Sequence, residues 1–556
     1  MAYVTDIKKT GKNGKKYIST LIRQSYREDG QVKTRTIANL SSLAKEEVDA
    51  IRFALQHKGE LQELVSSGTW EITEGRSIGA VWLLRETARQ LGILEALGDH
   101  RQGKLAMWQV ISRILEQGSS VSSVRLAELH AGCEVLDIKK TFHEDHLYKN
   151  LAWLSKNQGE IEKKLFFKNQ EKGEGPVDFF LYDVTSSYFE GQCDALADGG
   201  YNRDGEKGKK QVVIGLLCDS KGDPVSVGVF RENTSDVKTL SSQIKQIAKE
   251  FGCSRVTMVG DRGMIKSYRI EELAAHDLHY ITAITKAQIR KLCNDGVIQL
   301  ELFDEKLAEV EMAEEGVRYI LRKDPQKAAE IQENRERKYQ SMVDWVREKQ
   351  KYLDAHPRAK IEVALTKGRE RIEKLGLEKW VTLEVCSGKL SLKKDEETLA
   401  ELSLLDGCYV LKTDLTSDTG ISKEDIDARY KDLSFVEQNF RTIKTGHLEV
   451  RPFYVQTEES TRGHVFVVML AYKILRRLKE AWKDLNITVE EGLENLKTLC
   501  VLEMKKGGKE VIYKVPKPRH LSQRLFKATS VTIPDVFLPR KFKVSTKKKF
   551  QTRCKS

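Results

Sequence analysis

At 556 residues the chain exceeds what one hydrophobic core supports, and domains of roughly 100–200 residues imply three or four units. Its 40% hydrophobic and 32% charged residues with only 9 prolines exclude extended disorder, and nine single cysteines without a Cys-x-x-Cys pair exclude a zinc knuckle and fit a reducing cytoplasm. The net charge of +12 is concentrated at the ends: residues 501–556 hold 16 Lys+Arg against 3 Asp+Glu, and residues 1–40 hold 9 against 3, as expected of a protein that holds a polyanion.

No apolar signal core follows Met1, so a cytoplasmic protein is expected. Residues 1–70 form a basic region in which Lys16–Ser42 alternates apolar and polar residues and turns at Glu28-Asp29-Gly30-Gln31, predicting a small β ribbon. Lys33 and Arg35 share one face of the returning strand. Such a ribbon can enter a DNA groove or cap a neighbouring domain. Residues 71–175 read as a helical domain, with apolar spacing in Ala80–Leu84 and Leu105–Leu115 and a break at Gly118-Ser119-Ser120.

At residues 176–285 the texture changes to strands, Phe179–Phe189, Gln211–Asp219 and Pro224–Arg231, then a helix Val237–Phe251, a strand Arg255–Gly260, a helix Ser267–His276 and a strand Tyr280–Thr285. The predicted order is β-β-β-α-β-α-β. Residues 286–405 interrupt it with strands Val310–Leu321 and Val381–Leu392 around a long charged helix stopped before Pro357, an α+β insertion domain. Residues 406–485 resume with a strand at Gly407–Leu415, one helix from Ser422 to about Lys444, and a final helix Arg462–Trp482. The longest apolar run, Val465–Tyr472, is too short to span a bilayer, so no membrane is expected; residues 486–556 form a basic C-terminal region.

Two aspartates stand out on these strands. Asp183 lies inside Phe179-Phe-Leu-Tyr-Asp-Val-Thr185, where a carboxylate is costly without compensation such as a metal. Asp261 ends the apolar run Thr257-Met-Val-Gly260, at a strand carboxyl end where sheets commonly place ligands. A turn or cap aspartate is the alternative for each. Tyr430, Glu437 and Lys444 are each seven apart and would form one helical stripe beside the apolar Val436, Phe440 and Ile443. Two other chemistries lack support. Gly11-Lys-Asn-Gly-Lys lacks the spacing that cradles nucleotide phosphates, and His143/His146 and His276/His279 have no third metal ligand, so they read as helix-surface residues.

Asp183 in Leu-Tyr-Asp-Val-Thr, Asp261 in Val-Gly-Asp-Arg-Gly, and Tyr430-x6-Glu437-x6-Lys444 followed by Arg451-Pro452 resemble the DDE transposases of bacterial insertion sequences with the Tyr-Arg-Glu-Lys signature, over about Val177–Ile474. The resemblance implies an α/β fold with a ribonuclease H-like mixed sheet core and a domain inserted before the glutamate helix. It implies that Asp183, Asp261 and Glu437 bind two Mg²⁺ ions, or Mn²⁺ as substitute, and that Tyr430, Lys444 and Arg451 contact DNA near the cut. The signature arginine is Leu433 here, and Arg441, one turn beyond Glu437, is the candidate to replace it. The expected activity is metal-dependent cleavage at transposon terminal inverted repeats and strand transfer into target DNA, by a homodimer that holds two ends together. A ribonuclease H-like nuclease that only hydrolyses, and a non-catalytic DNA-binding derivative, are the alternatives.

Overall fold

The structure is a computed structural model that describes residues 2–10, 16–28, 30–56, 71–171, 179–189, 210–231, 256–261, 267–444, 455–506 and 510–536, together with Leu196, Phe251, Ile265, Leu448, Val450, Phe453 and Thr546. The predicted helix 237–251 apart from Phe251, the segment Arg262-Gly263, Arg451-Pro452 and the lysines 547–549 lie outside the described residues.

The N-terminal ribbon has three antiparallel strands rather than two: β1 (Ala2–Thr10), β2 (Lys16–Glu28) and β3 (Gln31–Asn39), in that order. The helix Lys45–Gln56 packs on β1 and buries Val48. Strand β4 (Glu71–Ser77) then leads into the helical part, of which Gly79–Gln90, Arg101–Leu115 and Glu144–Glu171 are the longest helices.

The central sheet follows from the alternation of β5 (Phe179–Phe189), β6 (Lys210–Cys218), β7 (Pro224–Arg231), β8 (Thr257–Gly260) and β9 (His279–Ala283). Strands β5, β6 and β7 run as an antiparallel meander, and β8 and β9 lie parallel to β5 on its other side. This order, β7-β6-β5-β8-β9, fits a ribonuclease H-like core. Alternate residues face opposite layers. Leu181, Ile214, Leu216 and Val259 meet Val436, Phe440 and Ile443 of the helix Leu433–Lys444, while Phe180, Tyr182, Val213 and Met258 meet Phe166, Phe251 and Leu273 on the other face.

The predicted strand Val310–Leu321 is two, β10 (Ala308–Met312) and β11 (Val317–Lys323), turned at Gly316 with φ +62°. Both extend the central sheet, because β11 pairs with β14 (Cys408–Thr413) and β14 pairs with β9. Ile289, Ile298, Phe303, Tyr319 and Leu321 form one apolar cluster, and the segment after it, from helix Pro325–Ala355 to helix Glu396–Ser403, gathers around its own apolar contacts, among them Met342, Ile372, Trp380 and Leu383. Within it the predicted strand Val381–Leu392 is a hairpin of β12 (Val381–Cys386) and β13 (Lys389–Lys394), turned at Ser387 and Gly388, both with positive φ.

The helix Arg462–Trp482 starts at Glu458 and is not the final one. Helices Val489–Lys497 and His520–Ala528 follow, with β15 (Cys500–Lys506) and β16 (Glu510–Lys514) between them. Strand β15 pairs with β4, so the C-terminal region closes a three-stranded sheet with the start of the helical part. Its Leu493, Leu496, Val501, Leu525 and Phe526 belong to the same apolar core as Leu83, Val110 and Leu478. Among the described residues no helix is long and apolar enough to cross a membrane.

Candidate active site

Strand register brings two of the acids together. In the parallel pair β5–β8, Leu181 stands beside Val259 and Tyr182 beside Gly260. Asp183 and Asp261 each lie two positions past Leu181 and Val259, so both occupy the face that carries Leu181 and Val259, the face covered by helix Leu433–Lys444. Neighbouring strands run roughly 4.8 Å apart, which puts the two backbones in reach of one ligand. Asp183 is half-buried, and its Oδ1 accepts from the Val184 amide at 2.7 Å. Asp261 is exposed, and the phenol of Tyr430 donates to its Oδ1 at 3.2 Å. Close packing supports Asp183 from behind. A Cβ at Gly215, opposite Val184, would meet Tyr182 Oη at 2.3 Å, so glycine there leaves the Tyr182 ring its place.

The predicted helix from Ser422 to Lys444 is two helices. The first, Lys423–Lys431, opens with a capping box in which Ser422 and Asp425 satisfy each other's backbone, and ends at Asp432; the second is Leu433–Lys444. Tyr430 therefore sits in a different helix from Glu437 and Lys444, and the seven-residue stripe is interrupted. Tyr430 nevertheless reaches Asp261, because its helix packs against β8 and β9. Glu437 is exposed on the second helix, which packs on β5 and β6 through Val436 and Phe440. Arg441 is exposed one turn beyond it and Lys444 half-buried. Among the described residues no three carboxylate, imidazole or thiolate groups stand together closely enough to hold a metal ion.

Leu433 is buried in the core beside Val436 and Phe440, so this position points inward and an arginine here would carry a charge into apolar packing. Lys33 and Arg35 do share one parity on β3, where Lys33 pairs with Glu28 at 2.8 Å and Arg35 bonds Gln24 at 2.9 Å and lies over the Tyr26 ring. Of the histidines, His143 and His146 stand at a helix start with rings 4.0 Å apart, while His279 lies in β9 and meets Asp414 at 3.1 Å.

Two polar clusters that sequence reasoning missed hold the helices in place. Asp427, almost wholly buried, accepts from Arg322 and Tyr409 at 2.6 Å and from Lys431 at 2.7 Å. Burial alone would raise its pKa, but the hydrogen bonds from Lys431, Tyr409 and Arg322 outweigh it and hold the carboxyl below the usual range. The Tyr409 ring in turn stacks on Tyr430 at 6.5 Å. In the second cluster Asn439 donates to the Gly222 carbonyl at 2.8 Å and to Cys218 Sγ at 3.3 Å, and accepts from the Tyr472 phenol at 2.5 Å. The one available signal was an asparagine on the apolar stripe between Val436 and Ile443.

Comparison with protein families gives two matches. Residues 6–67 match the N-terminal domain of IS1634 family transposases, and residues 175–474, more than half of the chain, match the transposase DDE domain. Comparison with curated proteins gave no match. Among solved structures, the cryo-EM structure of the piggyBac transposase synaptic complex with hairpin DNA aligns with 75% of this chain and 75% of its own at 9% identity and a TM-score of 0.35, too low to establish a shared fold. On the two family matches, the chain belongs to the DDE transposases of insertion sequences.

Proposed function

We propose that Asp183, Asp261 and Glu437 form the catalytic acid set of this transposase, and that the protein belongs to the branch with the Tyr-Arg-Glu-Lys signature. The observation that supports the reading is the β5–β8 register, which pairs Leu181 with Val259 and leaves Asp183 and Asp261 each two residues further along their chains. Three carboxylates are the hard oxygen donors that Mg²⁺ or Mn²⁺ prefers, so the residue types fit a divalent ion. Because no three acidic groups share one ion site among the described residues, the reading requires Asp183, Asp261 and Glu437 to draw closer as DNA and metal are taken up. Two bound ions would activate the attacking oxygen and stabilise the leaving one.

The chain's own residues bind and orient. Tyr430 holds Asp261 through its phenol, and Arg441 and Lys444 follow Glu437 by one and two turns, where cations can align a phosphate for in-line attack. Arg451 and the ribbon residues Lys33 and Arg35 complete the proposed DNA contacts. Water is the first nucleophile, and the resulting 3′-hydroxyl then attacks target DNA in the same site. A homodimer would hold two double-stranded ends.

The test incubates the purified protein with Mg²⁺ and duplexes carrying its candidate terminal inverted repeats. Joined products are expected. Cut but unjoined DNA would instead mean a nuclease that only hydrolyses, and binding without cutting a non-catalytic derivative.

A further inference from the structure

We propose that the outward face of helix His520–Ala528 and the segment leading into it form a docking surface for the phosphate backbone of duplex DNA, apart from the acid set. Between Val511 and Pro534 the chain contains no Asp or Glu, yet it carries Lys514, Lys517, Arg519, Arg524 and Lys527. All five are exposed, and none of them makes an ion pair among the described residues. Nearby cations differ. Lys483 pairs with Glu480, Lys497 with Glu494 and Lys505 with Glu503.

The helix is anchored to the core, which separates it from a solvated tail. One side of the helix buries Ser522, Leu525, Phe526 and the following Thr529, while Arg524 and Lys527 point to solvent one turn apart. The indole of Trp482 donates to the Leu525 carbonyl at 3.2 Å, Gln90 to Thr529 at 3.0 Å and Trp82 to Thr532 at 2.9 Å. Cations held on a fixed backbone lose little further order on binding, and each phosphate they meet releases counterions. The glutamate helix and this helix share one support. Tyr472, which holds the glutamate helix through Asn439, and Trp482, which holds this helix, lie ten residues apart on Glu458–Trp482, or about 15 Å at 1.5 Å per residue.

The choice of DNA as partner rests on the transposase reading, so the test reads binding without chemistry. The full chain and its Lys517→Gln/Arg524→Gln/Lys527→Gln variant are titrated with duplex DNA in chelator over a range of salt. The slope of log affinity against log salt should become shallower by roughly 2 to 3, near 0.9 per lost contact, with affinity about tenfold weaker or more at 0.1 M salt. Arg524→Gln alone should lower the slope by about 1. An unchanged slope overturns the proposal. So does equal flattening when Arg337, Lys338 and Lys351, exposed on helix Pro325–Ala355, are neutralised instead, since that would make the effect one of net charge. Cutting that survives Asp183→Asn would sink the acid-set reading and leave this slope untouched.

Discussion

Asp183 and Asp261 are carried by adjacent parallel strands, Asp261 just past the end of β8, and each needs only its carboxylate for the proposed chemistry. Asp183→Asn, Asp261→Asn and Glu437→Gln keep side-chain shape and remove a charged oxygen donor, so each should slow cleavage by about a thousandfold or more, the several kcal/mol that ligated metal supplies, with duplex affinity nearly unchanged. Gel-resolved single-turnover cutting checks this, and near wild-type cutting by any one variant removes that residue from the set. Tyr430→Phe deletes only the phenol that donates to Asp261. The expected result is a 10- to 100-fold rise in the Mg²⁺ concentration for half-maximal cutting, the usual cost of losing a partner of a metal ligand. A second residue-scale effect concerns acid stability. Burial, and after it the Arg113 cation, pushes the His464 imidazole down to about 3, and burial with Lys497 pushes His130 to about 4. Both take up protons on unfolding, so the unfolded chain binds more protons below the ordinary histidine value and stability falls as pH drops from about 6.5 toward 4. His464→Gln, whose amide can still donate to the Val450 carbonyl, should flatten that decline in urea midpoints between pH 7.5 and 5, and an equally steep decline would refute this origin.

At the scale of elements, the glutamate helix is set by Asn439 rather than by its apolar stripe alone. Leu433, Val436, Phe440 and Ile443 allow the helix to roll or slide on the sheet, whereas three directional bonds from Asn439 to Gly222, Cys218 and Tyr472 allow one setting. Asn439→Leu would leave the Tyr472 phenol without its acceptor in a buried place, at a cost of about 1–3 kcal/mol, while the Gly222 carbonyl keeps its bond from Arg476. Tyr472→Phe removes one partner and should cost about 1 kcal/mol. Denaturant unfolding measures both, and an Asn439→Leu variant as stable as the unaltered chain would show that Asn439 fixes nothing. The break at Asp432 has a related consequence. It frees the helix bearing Tyr430 to follow Asp427 and Tyr409 toward β8, so Tyr430 and Glu437 are positioned by different anchors.

Across the whole molecule the start of the helical part and the C-terminal segment are tied into one body, since β15 pairs with β4 and Leu525, Phe526 and Val531 lie in the core with Leu83 and Leu478. A chain ended at Pro516 would therefore lose buried apolar side chains worth roughly 1.5–3 kcal/mol each, besides the cations of helix His520–Ala528. Its thermal midpoint should fall clearly below that of the full chain in a melting experiment. An unchanged midpoint would mean that this region is a solvated extension after all.

The sequence by itself determined what short-range chemistry controls. The alternation of Phe179–Phe189 and Thr257–Gly260 marked two strands with an acid at a telling place, and the order of strands β5 to β9, with the helix Ser267–Ala274 before β9, could be read from period and turn residues. What it left open depends on partners far away in the chain. No local signal distinguishes one strand from two around Gly316, puts β10 and β11 into the central sheet, or reveals that Leu433 faces the core. Only tertiary packing decided these, because strand pairing, helix setting and the choice of buried face are fixed by the apolar area and hydrogen bonds that distant segments supply to one another, and a cation such as Arg524 becomes a surface feature only once Leu525 and Phe526 have been buried.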